Sequence, residues 1–172
     1  KDLGLDYAEA FPAALRGKTF SFGSRGSTSG RLMPQYYLMQ ETGQSPEEFF
    51  GHPSQFTTGH DQTALQVQAG SISAGALNFK TYERMVAEGT LDPEVCRHIW
   101  TTPTYADYNW TAHPALDQLH GEGFVKRLQN ALVALDDPAV LKALDRTEGL
   151  IPAGDEDYAA IEATMRQTGL LR

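Results

Sequence analysis

The segment Lys18-Thr-Phe-Ser-Phe-Gly-Ser-Arg-Gly-Ser-Thr-Ser-Gly30 joins a strand pattern to a helix start. Residues 19–22 predict a short strand, and the glycine- and serine-rich residues 23–30 predict a turn. Leu32, Tyr36 and Met39 then recur at helical spacing, which predicts a helix that ends near Gly43. This strand–turn–helix order, repeated further along the chain, predicts an α/β fold.

The turn carries groups that suit a tetrahedral oxyanion. A helix start presents unpaired backbone N–H groups and the positive end of the helix dipole. Ser27, Thr28 and Ser29 add three hydroxyl donors there, and the glycines let a ligand approach the backbone closely. An ordinary serine N-cap on a flexible turn is the alternative interpretation.

Other phosphate and nucleophile motifs fit this turn poorly. A Walker A loop requires Gly-Lys-Ser/Thr, and no lysine occurs between Lys18 and Lys80. The glycine spacing differs from G-x-G-x-x-G, and Thr28 stands where a G-x-S-x-G elbow has serine. Pro34 removes a helical hydrogen bond to the Gly30 carbonyl, which predicts an irregular first turn.

A second candidate site is the segment Thr58-Gly-His-Asp-Gln62, again between a predicted strand (56–58) and a predicted helix (60–69). The imidazole of His60 can donate a hydrogen bond to an oxyanion in either protonation state. Asp61 can cap the helix or orient His60, and a simple surface histidine is the alternative.

The rest of the chain predicts further alternation and then helices. Strands are expected at 72–77, 97–101 and 109–112, and a helix at 79–88. One apolar helical stripe consists of Phe124, Leu128, Leu132 and Leu135. Pro138 opens another short helix, and Tyr158, Ile161 and Met165 mark a closing helix.

Composition and charge narrow the function classes. The formal net charge is −8, which argues against a nucleic-acid partner. The sequence contains no run of 18 apolar residues, so it predicts no membrane span. No signal peptide is visible. The single Cys96 excludes an intrachain disulfide, and the histidines show no metal-ligand spacing, so neither a metal nor a cofactor is expected.

The ordered motifs resemble those of the periplasmic phosphonate-binding proteins of ABC importers. Beside residues 18–37, the resemblance rests on Gly59-His-Asp61, Gly75-Ala-Leu-Asn78, Tyr82-Glu-Arg-Met85, Thr102-Pro103, Tyr108-Asn-Trp110, Ile151-Pro-Ala153 and Asp157-Tyr158. It implies a solute-binding protein for phosphonate, phosphite, phosphate or selenate, located in the periplasm and served by a membrane permease. The protein is therefore not expected to be an enzyme.

The resemblance also implies ligand contacts. Ser27, Thr28 and Ser29 match the oxyanion-binding turn of the family, and His60 matches its ligand-contacting histidine. Asn78 and Tyr108 lie in matching segments.

The resemblance implies a two-lobed, periplasmic-binding-protein-like fold of type II with a ligand cleft between lobes. The expected organisation is a lead-in helix over residues 1–16, a second lobe over 17–102, and a returning part of the first lobe over 103–172. Part of the first lobe is expected to be missing, since the family has a substantial portion before the strand at Lys18.

Two other functions stay open from the sequence. One is a hydrolase that uses the Ser27-Thr28-Ser29 turn with His60 as its base. The other is the effector-sensing domain of a transcriptional regulator, although no basic helix-turn-helix segment is visible.

Overall fold

A computed structural model describes residues 3–144, 146 and 148–171, and these divide into two compact units. The first unit comprises residues 1–104 and 161–172, and the second comprises residues 105–160. The assignment of residues 17–102 and 103–172 to two lobes stays a prediction.

The first unit is built on a three-stranded parallel sheet in the order β2-β1-β3. The strands are β1 (Phe20–Phe22), β2 (Gln55–Phe56) and β3 (Ala74–Gly75). In the register, Phe22 stands opposite Phe56, and Ser21 stands opposite Gly75. Both edges of the central strand β1 are paired, and all three of its residues are buried. The carboxyl ends of the strands therefore meet at one edge of the sheet.

Helices of the first unit follow the strands on the chain. They are α1 (Met33–Thr42), α2 (Pro46–Phe50), α3 (His60–Gln68) and α4 (Phe79–Ala87). The second unit contains α5 (Ala115–His120), α6 (Phe124–Val133) and α7 (Pro138–Ala143), and α8 (Ala159–Gln167) closes the chain. The expected helices after each strand and in the last third are thus present.

The two faces of β1 bury different kinds of side chain. Phe20 and Phe22 share one face, where the Phe20 ring stacks on Phe50 with 4.5 Å between centroids. Ser21 alternates to the other face, beside Gly75 of β3. A Cβ on Gly75 would lie 2.4 Å from Thr63 Cγ2. Helix α3 therefore packs directly on a sheet surface of small residues, which fixes the position of its first turn.

The aromatic face forms the main core of the first unit. It gathers Phe11, Leu15, Phe20, Phe22, Leu38, Phe49, Phe50 and Ala74. A second buried cluster lies with α3 and α4 and consists of Ala64, Met85, Leu91 and Cys96. Burial raises the pKa of the Cys96 thiol to about 11, so this cysteine is an inert core residue.

Several sequence expectations about strands and helices are wrong. The lead-in helix is absent from residues 3–16, where only a single 3-10 turn (Ala13–Leu15) forms after Pro12, and residues 1 and 2 lie outside the described part. Gly4 has a left-handed φ of 61°, which interrupts any helix there.

The strands expected at 97–101 and 109–112 are not formed in the described structure. Residues 97–101 instead run as irregular chain, in which the Ile99 carbonyl accepts from the Ala8 amide at 2.9 Å. The strand expected at 72–77 shortens to Ala74–Gly75, and the one expected at 56–58 shifts to Gln55–Phe56. Each outer strand pairs with two residues of β1.

Candidate functional site

The turn after β1 begins its helix with a serine cap and a wide first turn. Ser27 Oγ accepts a hydrogen bond from the Gly30 amide at 2.9 Å. The Ser27 carbonyl accepts from the amides of Arg31 at 3.1 Å and Leu32 at 3.0 Å. Residues Thr28–Leu32 therefore wind as a π-type turn before α1 begins. Such turns are frequent at functional sites.

Pro34 explains why the first turn is irregular. Proline has no N–H, so it cannot donate to the Gly30 carbonyl one turn earlier. That carbonyl accepts instead from the Gly23 amide at 2.7 Å. The end of β1 is thereby joined to the third residue of the helix, and Gly23 and Gly30 are in backbone contact. A Cβ on either glycine would lie 3.0 Å from the Cα of the other.

The helix start leaves donors without partners. Within the described residues, the amides of Thr28 and Ser29 donate to no backbone or side-chain acceptor. Ser29 Oγ is buried and has no hydrogen-bond partner. A buried hydroxyl without a partner costs about 1–3 kcal/mol. This arrangement is expected for a helix start that receives an anion.

His60 lies beside this turn, at the start of α3. A Cβ built on Gly30 would lie 3.2 Å from His60 Cε1, so the imidazole contacts the turn directly. His60 Nδ1 is 3.3 Å from the Asn78 backbone nitrogen, which can only donate. Nδ1 is therefore the acceptor of this bond, and the neutral ring carries its hydrogen on Nε2. The Nε2–H group has no partner among the described residues.

Burial lowers the pKa of His60 below its ordinary value of 6.5, and the charge of Asp61 opposes this shift only in part. Protonation would also place a second hydrogen on Nδ1, facing the Asn78 amide. The neutral ring is therefore the stable form at neutral pH. In that form His60 is a hydrogen-bond donor without a formal charge.

A pH series tests this assignment. A histidine whose pKa is lowered by folding costs no stability above its unfolded pKa of 6.5, where it is neutral in both states. Below that pH the unfolded chain takes up the proton first, and the folded state loses stability. Below pH 6.5 we expect the free energy of unfolding of the wild type to decrease relative to that of His60→Asn. Above pH 6.5 the difference between the two free energies should stay constant. Urea unfolding from pH 8 to 5 measures the difference, and parallel curves throughout would contradict the assignment.

Two buried threonines hold the residue that precedes His60. Thr57 Oγ1 and Thr63 Oγ1 are 2.7 Å apart, and they approach the Gly59 carbonyl at 3.1 Å and 3.3 Å. The Thr63 amide donates to the same carbonyl at 3.2 Å. Sequence reasoning missed this pair, because a Thr-x5-Thr spacing does not by itself indicate contact. The two hydroxyls meet only because the end of β2 lies against α3.

Asn78 reaches the site through its backbone. Its amide donates to His60, while its side-chain Oδ1 accepts from the Lys80 amide at 2.9 Å and caps α4. The Asn78 side chain thus has a structural role, and its predicted ligand contact stays a prediction for the remaining NH₂ group. Tyr108 belongs to the second unit, where its side chain is 70% exposed, so its ligand contact also stays a prediction.

Within the described residues, no group of three or more His, Cys, Asp or Glu side chains is placed to hold a metal ion. None of the described helices combines the length and the apolar character that a membrane crossing requires.

Comparison with known proteins shows which family the chain resembles. Residues 8–158 match the family model of the phosphonate periplasmic substrate-binding proteins of ABC transporters. The probable ABC transporter phosphite binding protein PhnD1 of Prochlorococcus marinus (strain MIT 9301) is 35% identical over 92% of this chain and 54% of its own length. The phosphate-import protein PhnD of Mycolicibacterium smegmatis is 27% identical over 89% of this chain and 52% of its own length.

A solved structure has the same fold. The structure of Prochlorococcus marinus PhnD1 in complex with methylphosphonate superposes with a TM-score of 0.82 at 31% identity, over 98% of this chain and 64% of that chain. This likeness confirms the predicted α/β, type II periplasmic-binding-protein-like fold. The chain spans about half the length of the curated relatives that it matches. The chain belongs to the phosphonate periplasmic substrate-binding proteins of ABC transporters.

Proposed function

We propose that this chain is the solute-binding component of an ABC importer and that it binds a phosphonate-like oxyanion at the turn after β1. The observation that carries the proposal is the group of unpartnered neutral donors at one edge of the sheet. These donors are the amides of Thr28 and Ser29, the Ser29 hydroxyl and His60 Nε2.

Neutral donors are sufficient to hold such a ligand. Hydrogen bonds to an ionised oxygen are roughly twice as strong as those between neutral groups. The positive end of the helix dipole adds to them at a helix start. The donors replace the water around the anion, and no cation is required within the turn. The net charge of −8 makes these local donors more important, because the overall field repels an anion.

The relatives narrow the ligand class. One is named for phosphite, one for phosphate, and the solved relative holds methylphosphonate. These molecules share a tetrahedral phosphorus with several oxygens. A phosphorus oxyanion of this class, or selenate as its isostere, is therefore the proposed ligand. The proposed location is the periplasm and the proposed partner is a membrane permease, as the description of the family implies.

The geometry disfavours the hydrolase alternative. A histidine that acts as a general base accepts the hydroxyl proton on a ring nitrogen that carries no hydrogen. Its other ring nitrogen carries the hydrogen and donates it to a carboxylate or carbonyl. In His60 the inner nitrogen, Nδ1, accepts from the Asn78 amide, so the outer nitrogen carries a hydrogen. This tautomer donates to an anion and cannot activate Thr28 or Ser29. A binding role without catalysis is therefore proposed, in preference to an enzyme or a regulatory sensor.

Calorimetry with phosphate, phosphite, methylphosphonate and selenate tests the proposal. We expect at least one of them to bind the wild type, and Ser29→Ala to weaken that binding about 10–100-fold through the loss of one hydrogen bond to an anion. The variant should unfold no earlier than the wild type, because Ser29 Oγ has no partner to lose. Ser24→Ala removes a hydroxyl from the same turn outside the helix and should bind normally. A folded wild type that gives no heat with any of the four anions would contradict the proposal.

A further inference from the structure

Two arginines of the turn lie over the same aromatic ring. The guanidinium carbons of Arg25 and Arg31 are 4.1 Å and 4.9 Å from the centroid of Phe56. Arg31 Nη1 also donates to the Arg25 carbonyl at 2.8 Å, so its side chain folds back toward the start of the turn. We call Arg25, Phe56 and Arg31 the arginine cluster. It holds two positive charges close together.

Neither charge of the arginine cluster is neutralised by an ion pair. Within the described residues, no carboxylate oxygen lies within 4.0 Å of either guanidinium, whereas Arg84 and Arg166 pair with glutamates at 2.8 Å and 2.7 Å. The charge of Glu47 acts on Arg31, but the Glu47 carboxylate accepts from the hydroxyl and the amide of Ser54. Arg31 Nε is buried and has no hydrogen-bond partner.

The two cations also disfavour each other. Burial lowers the pKa of Arg31, and the neighbouring charge of Arg25 lowers it further. Repulsion between the two guanidinium groups lowers the stability of the unliganded protein, unless the ring and an approaching anion compensate for it. The ring of Phe56 supplies part of this compensation through cation–π contacts. An anion at the neighbouring helix start would supply the rest.

The position of the cluster relates it to the helix start. Arg25 precedes Ser27 by two residues and Arg31 follows Ser29 by two residues. Arg31 Nη1 lies 2.8 Å from the Arg25 carbonyl, and two residues of chain span at most about 7 Å. This guanidinium therefore lies within about one Debye length of the helix start, about 10 Å at 0.1 M salt, and the Arg25 guanidinium shares the same ring with it. The two charges therefore act on any anion that approaches the turn. They form a local positive source on a chain whose net charge is −8.

We propose that the arginine cluster attracts the oxyanion to the turn and sets the rate at which a dianion associates. The inference rests on the proposed function. It assigns the arginines to the approach of the ligand, while the neutral donors of the turn and His60 hold the bound ligand. The cluster thereby favours doubly charged oxyanions over singly charged ones, because the attraction scales with the ligand charge.

Stopped-flow binding of methylphosphonate at pH 8.5 tests this role in the wild type, Arg25→Gln and the double variant Arg25→Gln/Arg31→Gln. We expect the association rate of the double variant to fall about 5–10-fold at 10 mM salt and by less than about 2-fold at 1 M salt, because salt screens the attraction. The dissociation rate should change by less than about 2-fold, because the donors that hold the ligand are unaltered. Arg25→Gln alone should give an intermediate rate.

Matched controls separate charge from structure. Arg16→Gln/Arg84→Gln makes the same change in net charge, and Arg16 also stacks on a ring, that of Phe49, before the amino end of β1. This control should associate at the wild-type rate. Arg25→Lys/Arg31→Lys keeps both charges and should also keep the rate.

The outcomes distinguish this inference from the proposed function. If the wild type binds methylphosphonate and the double Gln variant keeps its association rate and salt dependence, the inference is wrong and the proposed function stands. A rate that falls equally at low and high salt would also overturn it, because a structural defect is not screened. If the folded wild type does not bind methylphosphonate, the inference falls together with the site it serves.

Discussion

Gly30→Ala is expected to reduce oxyanion affinity at least 100-fold. The new Cβ would lie 3.0 Å from Gly23 Cα, 3.0 Å from Ser27 Oγ and 3.2 Å from His60 Cε1. The contact with Gly23 is with backbone, so the helix start must move away from β1. That movement breaks the 2.7 Å bond between the Gly23 amide and the Gly30 carbonyl, and it displaces the imidazole. Overpacking of this kind also lowers the free energy of unfolding by about 1–3 kcal/mol.

Gly26→Ala is the matched control for this substitution. Gly26 lies in the same turn, but a Cβ there meets no atom within 4 Å and its φ is not positive. We expect its affinity and stability to stay close to those of the wild type. Calorimetry with methylphosphonate and urea unfolding of both variants measure the two effects. Normal binding by Gly30→Ala would show that the contact between the turn and His60 is not required.

The sequence predicts the structure well where a local motif is compatible with only one local conformation. The order of strand, glycine-rich turn and helix over residues 18–42 predicts the α/β unit and the place of the helix start. Pro34 predicts that the carbonyl of Gly30 loses its helical partner, and the structure shows this carbonyl bonded to Gly23. The Ser45-Pro-Glu-Glu48 capping box was present in the sequence as well, although α2 was not expected.

The rest depends on contacts between distant segments. No local pattern indicates that the Asn78 amide fixes the tautomer of His60, since the two residues are brought together by β3. The approach of two arginines to Phe56 likewise follows from the pairing of β1 with β2. Strands β2 and β3 are shorter than the sequence predicts, because an apolar run does not show how many neighbours a strand will have.

A second large effect is expected at His60, where two substitutions separate its two nitrogens. Asn places its side-chain oxygen near the position of Nδ1, so His60→Asn can still accept from the Asn78 amide but has no donor at Nε2. Gln places its NH₂ group near the position of Nε2, so His60→Gln keeps a donor for the ligand. We expect His60→Asn to lose about 30–100-fold in oxyanion affinity, the range for a hydrogen bond to a charged group. His60→Gln should stay within about 10-fold of the wild type.

Stability distinguishes these effects from a general disturbance. His60→Asn should retain most of the wild-type stability at pH 8, because the bond to the Asn78 amide survives. Calorimetry with methylphosphonate and urea unfolding at that pH provide both values for each variant. Equal losses of affinity in the two variants would mean that the imidazole acts by its shape alone. Tighter binding by His60→Asn than by His60→Gln would mean that Nδ1, and not Nε2, faces the anion, and the tautomer derived from the Asn78 contact would then be wrong.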